Sequence, residues 1–429
     1  MGDLQKILFE QFAEVPYLQV EAALRKKLEE QGAPDSERLA KEIIRALREG
    51  RDPQLDWREA DGEPDRIIDV SLSDEEWKDL AQQADTFNEK LPEVLRGLVI
   101  SSAQALCKTL KKNWPEQWEW EQNTQAGFQE RLEQRWGKGF TSLRMMLTIA
   151  REIGGEVYAA NRRSKSKKHV RRREVLQRLH VRGCQVVAEI LCLMENGFAD
   201  GAMARWRTLH EITVVAALIA EHDEDLGQRY LDHEAIEAAK AMKLYQEHQV
   251  NLGLRPFEKR EAERIERRRN ALKKQYGKEF DEPYGWAAHH LGFDGRQFAY
   301  LETAADKSSS RPYYKMASYN VHAGAKGIMF RLGLLDHGGF LAGASNTGFT
   351  EPGQHTAFDL ARLTGHLLHE RMGFDEQIQM QVLLDLRDEV PPALWKAERQ
   401  LKKDDREFRL EEWRAREVRK ARRAAKKTP

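Results

Sequence analysis

Apolar positions recur at three- and four-residue intervals along most of the chain, and alternating strand-like runs bounded by turn pairs are nearly absent. The pattern predicts an all-α protein: a multi-helix bundle with an N-terminal helical extension and a basic C-terminal helical tail. "DSERLAKEIIRALREG" sets Leu39, Ile43 and Leu47 one turn apart, with Asp35 or Ser36 as N-cap and Gly50 as the stop. In "SLSDEEWKDLAQQADTF", Ser73 and Glu76 have capping-box spacing, so a helix is expected to start near residue 74. "EVLRGLVISSAQALCKTLKK" is apolar around much of its circumference and predicts a buried helix.

The tryptophan-rich "NWPEQWEWEQNTQAG", with Pro115, reads as a boundary. Beyond it, "EVLQRLHVRGCQVVAEILCLMENG" and "GAMARWRTLHEITVVAALIAEHD" predict two antiparallel helices joined by a short turn at Gly197 and Asp200, the seed of a bundle. "PFEKREAERIERRRNALKKQYGK" is charged on nearly all faces and predicts a solvent-facing helix with pairs such as Glu263 with Arg267. The glycine-rich "GLLDHGGFLAGASNTGF" reads as a long loop before a helix starting near Gln354. Three domains are expected: an N-terminal helical domain over 1–125, a central bundle over 126–375, and a C-terminal helix and basic tail over 376–429.

With 70 basic and 70 acidic residues the formal charge is zero, but it is unevenly placed. "RRSKSKKHVRRR" (Arg162 to Arg173) holds eight bases and no acid, and the stretch from Trp413 to the end nets +7. Both are expected to contact phosphates, so RNA or another nucleic acid is the expected partner, and a homodimer is a further expected arrangement. Three scattered cysteines, the absence of a basic start leading into an apolar run, and apolar stretches well short of roughly 20 residues point to a cytoplasmic protein without disulfides or membrane spans.

All thirteen histidines lie between His169 and His369, which directs the search for chemistry to the centre. "HLLHE" offers His366, His369 and Glu370 on one side of a helix, but no HExxH occurs, and neither a metal nor a cofactor is expected. Phosphate-cradling and hydrolase-elbow motifs are absent. Metal-free ribonucleases of the HEPN type use an arginine and a histidine with four to six residues between them. Arg205 and His210 fit that spacing, but so do five other pairs here, so the spacing discriminates little.

Helical faces discriminate better. Arg207 and Glu211 are four apart on an otherwise apolar helix, where an unpartnered polar pair is costly. Arg229 lies beside Tyr230 and one turn before His233, and Tyr314, Ser318 and His322 form a four-residue stripe in "YYKMASYNVHAGAKG". If these helices are neighbours, Arg207, Glu211, Arg229, Ser318 and His322 meet in one polar pocket.

"RWRTLHE", "RYLDHE", "YGWAAHHLG" and "SYNVHAG", in that order, resemble the core of an uncharacterised, mainly bacterial family catalogued as a domain of unknown function (family 5677), over roughly residues 170 to 335. The resemblance implies an all-helical domain, with distant HEPN-like character among its relatives, and marks Arg207, Glu211, Arg229, Tyr230, Trp286, Ser318 and His322. It supplies no reaction.

Two readings follow. In the first, the pocket binds or cleaves RNA or a nucleotide-like anion, in stress or phage defence by analogy. His322 would be general acid or base, Arg207 or Arg229 would stabilise the developing charge, Glu211 would orient the arginine, and Tyr230, Trp286, Tyr314 and Ser318 would contact the ligand. In the second, the pocket is a structural polar core of a non-enzymatic interaction module. An open cleft holding His322, Arg207 and Glu211 favours the first; burial and full pairing favour the second.

Overall fold

The computed structural model describes residues 2–51, 70–335, 339–369 and 373–425, with side chains from 11 to 420. His337 and Glu370, and the last residues of the basic tail, lie outside them. Every regular element among the described residues is helical. The chain divides into two compact units, 1–120 and 121–429.

In the first unit, α1 (Gly2–Glu30) packs on α2 (Ser36–Arg48) through Leu24, Leu28, Leu39, Ala40, Ile43 and Ile44. Helix α3 (Asp74–Arg163) opens on the expected capping box. The Ser73 amide donates to Glu76 Oε2 at 2.6 Å, and the Glu76 amide donates to Ser73 Oγ at 3.3 Å. The predicted burial of the following stretch is corrected: Val99, Leu106 and Leu110 are 67, 61 and 68 % exposed. An apolar circumference is buried only where other elements cover it, and α1 and α2 are occupied with each other. Pro115 and the tryptophan-rich stretch lie within α3, and the two units divide after residue 120.

The second unit contains the rest of α3, then α4 (Val170–Glu195), α5 (Ala199–Glu221), α6 (Glu224–Asp232), α7 (Glu234–His248), α8 (Lys259–Tyr276), α9 (Gly285–Leu291), α10 (Phe298–Ala304), α11 (Arg311–Tyr319), α12 (Ala325–Met329), α13 (Thr350–Leu368) and α14 (Phe374–Ala425). Helix α5 is central because apolar residues surround it: Met203, Trp206, Leu209, Val214 and Leu218 are all buried. It forms the predicted hairpin with α4 through residues 196–198, and α13, α10 and α11 pack on its other sides. Asp200, in the first turn of α5, accepts hydrogen bonds from the Leu332 and Gly333 amides at 2.8 and 3.2 Å, anchoring the loop that leads to α13.

That loop delivers Phe349 into the core, edge-on to Trp136 at 5.2 Å and Phe140 at 5.8 Å. Gly348 makes the turn possible: its φ is +89°, and an added Cβ would lie 2.3 Å from the Leu332 carbonyl oxygen. Gly348→Ala is therefore expected to cost about 2 kcal/mol of stability, read as a lowered unfolding midpoint. An unchanged midpoint would show that the turn is not constrained as described.

Candidate functional site

The most buried polar chemistry lies where α5, α10, α11 and α13 meet. Helix α13 buries Pro352, Thr356, Asp359, Leu363 and Leu367 along one face, which drives a carboxylate into an apolar interior. Such a charge needs partners. Asp359 Oδ2 accepts from Trp206 Nε1 at 2.9 Å and from His210 Nδ1 at 3.3 Å, while Arg362 Nη1 stands 3.4 Å from Oδ1. On its other side, His210 Nε2 is 3.2 Å from Glu302 Oε1, and Glu302 Oε2 is paired with Arg311. Arg362, Asp359, His210, Glu302 and Arg311 thus form a chain of charges alternating in sign.

Burial by itself would lower the His210 pKa, but the bonds to Asp359 and Glu302 outweigh it and hold the pKa at about 9. Burial would likewise raise Asp359, yet His210 keeps it below the usual carboxylate range. His210 is 0 % exposed. With both ring nitrogens donating to carboxylates, it has no lone pair to offer as a base and no route to a substrate. Its HEPN-spaced neighbour Arg205 pairs with Glu189 instead.

A second layer lies against this chain. The Tyr314 hydroxyl donates to Glu211 Oε1 at 2.6 Å, and Arg207 Nε donates to the same oxygen at 3.1 Å. The Arg207 guanidinium sits 4.6 Å from the centre of the Tyr314 ring, which itself stacks on Phe298. Burial and the Glu211 bond push the Tyr314 hydroxyl well above the usual phenol range, so it remains a donor at neutral pH.

A different region is open. Between the C-terminal part of α3 and α4 lies a cleft of about 1170 Å³, walled by Arg151, Arg162, Arg173, Arg178 and Arg182 against one acid, Glu174. The basic connection from α3 to α4 forms its rim: Arg173 donates to the Ser166 carbonyl at 3.0 Å. Arg178 is neutralised by Glu174 at 2.8 Å, but no carboxylate among the described residues pairs with Arg151 or Arg162. The Arg162 guanidinium stands 6.0 Å from the ring of Tyr158, which is 52 % exposed. The cleft also has an apolar lining that includes Gly154, Val181 and Ala188.

His180 and Cys184 line the same cleft but are chemically quiet. Burial lowers the His180 pKa to about 4, and its Nε2 lies 3.2 Å from Thr364 Oγ1. Burial pushes the Cys184 thiol up to about 11, so it is not a thiolate at neutral pH. Among the described residues no group of three or more His, Cys, Asp or Glu side chains is placed to hold a metal ion.

Residues 173–340 match the family described as "Family of unknown function (DUF5677)". No curated protein and no solved structure matches the chain. The DUF5677 match contains His210, Glu302, Arg311 and Tyr314, whereas Asp359 and Arg362 lie beyond its end and Arg151 and Arg162 before its start.

Within the DUF5677 region, the sequence-predicted residues separate into three groups. Arg207, Glu211 and Tyr314 come together as described, and Ser318 Oγ donates to the Tyr314 carbonyl at 2.9 Å. Arg229 pairs with Asp225 at 2.6 Å and lies over the Tyr276 ring, while Tyr230 packs edge-on against the buried Trp286 at 5.0 Å. His322 is exposed and follows the end of α11 at Tyr319, so the expected stripe stops at Ser318. The residues that sequence reasoning missed, Glu302 and Asp359, carried one signal: each is an acid within an otherwise apolar helical stretch.

No helix among the described residues is long and apolar enough to cross a membrane.

Proposed function

We propose that this chain is a non-enzymatic helical module that binds RNA in the arginine-walled cleft between α3 and α4, with the His210 network as its rigid frame. The observation that carries the reading is the convergence of five arginines on one cleft, three of them, Arg151, Arg162 and Arg173, without a carboxylate partner among the described residues, beside an exposed tyrosine. Guanidinium groups recognise phosphates, and an aromatic face accepts an unstacked base. A binding role fits better than cleavage because His210 is sealed between two carboxylates and His322 is exposed beyond the end of α11.

The test is fluorescence anisotropy of a labelled single-stranded RNA over a salt series. Arg151→Ala combined with Arg162→Ala is expected to weaken binding about tenfold and to flatten the dependence on salt. The same RNA should be recovered intact after incubation without added metal, from both the wild type and His322→Ala. Unchanged affinity in the arginine variant would mean that RNA does not occupy the cleft, and cleavage lost only in His322→Ala would reinstate a catalytic reading.

A further inference from the structure

Two adjacent glycines, Gly154 and Gly155, lie inside α3 where it walls the arginine cleft. A glycine in a helix interior destabilises it relative to alanine, so each calls for a reason. Gly154 has one in packing, because an added Cβ would lie 2.9 Å from the His180 ring. Gly155 has none of that kind: a Cβ there would meet no atom of the described residues within 4 Å. It leaves a notch of bare backbone in the cleft, which lets a flat group approach the helix closely.

The surroundings of this notch suit a nucleobase. Arg151, Gly155, Tyr158 and Arg162 follow at intervals of four, three and four residues and so share one side of α3. The notch therefore lies between an arginine one turn before it and a half-exposed tyrosine ring one turn after it, with Arg162 6.0 Å from that ring. From α4, Gln177 donates to the Gly154 carbonyl at 3.1 Å, and its own Oε1 is buried with no hydrogen-bond partner among the described residues. Asn161 Oδ1, in the same wall, is also buried and unpartnered. A buried acceptor without a donor is costly, and the N–H groups on the pairing edge of a base are donors. A duplex uses those groups internally, whereas a single strand presents them.

We infer that the cleft takes single-stranded RNA by laying one unstacked base in the Gly155 notch against Tyr158, its pairing edge toward the carbonyls of Gln177 and Asn161. This rests on RNA being the ligand of the cleft and adds the class of RNA, a strand with unpaired bases. Arg151 and Arg162 hold phosphates on either side, and the notch supplies a selectivity that charge alone does not.

The test measures three ligands: a labelled single strand and a duplex of the same sequence by fluorescence anisotropy, and inorganic polyphosphate, an anion without bases, by calorimetry. Wild type should bind the single strand about tenfold more tightly than the duplex. Gly155→Leu fills the notch and should weaken single-strand binding about tenfold, and Tyr158→Ala should do the same by removing the stacking face. Neither change should alter the affinity for polyphosphate, and the unfolding midpoint of Gly155→Leu should not fall below that of wild type. Arg151→Ala with Arg162→Ala should weaken all three ligands. If that arginine pair weakens single-strand binding while Gly155→Leu and Tyr158→Ala leave it unchanged, RNA occupies the cleft but the base notch is overturned. Equal affinity of wild type for strand and duplex, or an equal loss of polyphosphate binding in Gly155→Leu, overturns it as well. If the arginine pair changes nothing, RNA does not occupy the cleft and the inference falls with it.

Discussion

Asp359→Ala is expected to remove about 3 to 5 kcal/mol of stability from the second unit, more than the truncation of any exposed ion-pair partner on its surface. The carboxylate accepts from Trp206 and His210 and faces Arg362, all inside or at the edge of a closed interior. Truncation leaves a protonated imidazole held by Glu302 alone and an indole N–H without an acceptor, and both penalties fall on buried groups. His210→Ala should cost a similar amount, since it leaves two buried carboxylates facing one another's former partner. The double variant should cost little more than either single change, because once one member is gone the rest of the interaction is already lost. Chemical denaturation of the four proteins measures this cycle, with a coupling at the top of the usual range, about 3 kcal/mol, expected. Costs that add, or a loss below about 1 kcal/mol for Asp359→Ala, would mean that the charge chain does not hold these helices in place.

The sequence made some of this arrangement legible and concealed the rest for identifiable reasons. The capping box at Ser73 and the α4 and α5 hairpin are local features, and local patterns predicted them. Arg207 and Glu211 were legible because an ion pair on an apolar helix must be partnered, and Tyr314 supplies that partner from 103 residues away. The buried charge chain was not legible. His210 meets Glu302 across 92 residues and Asp359 across 149, and α10, which carries Glu302, is only 7 residues long. No spacing rule reaches that far.

Two expectations failed for opposite reasons. The stretch around Leu106 is apolar enough for a core but has no neighbour in the first unit, so composition overstated its burial. At His322 the four-residue period was extended beyond the helix that justified it. Helix α11 ends at Tyr319, and the chain folds back so tightly that a Cβ on Gly327 would lie 2.1 Å from the Tyr319 carbonyl oxygen.

The same histidines make stability depend on pH in both directions. His210 has a folded pKa raised to about 9, so its contribution is fully present below the unfolded value near 6.5 and is lost as pH rises through 9. His180 and His366 are lowered to about 4, chiefly by burial, with Lys307, His369 and Arg362 also acting on His366. Their contributions are full above 6.5 and fall as pH drops toward 4. Stability should therefore peak near pH 6.5 and decline on each side, with each histidine worth on the order of 3 kcal/mol over its window. His210→Gln, neutral at every pH, should be less stable at pH 6.5 and should lose the decline through pH 9, while its acid limb also changes, because His210 no longer holds Asp359 below the usual carboxylate range. Unfolding midpoints across pH 4 to 10 decide the matter. An alkaline decline that persists in His210→Gln would place the titrating group elsewhere and remove the protonated histidine from the centre of the bundle.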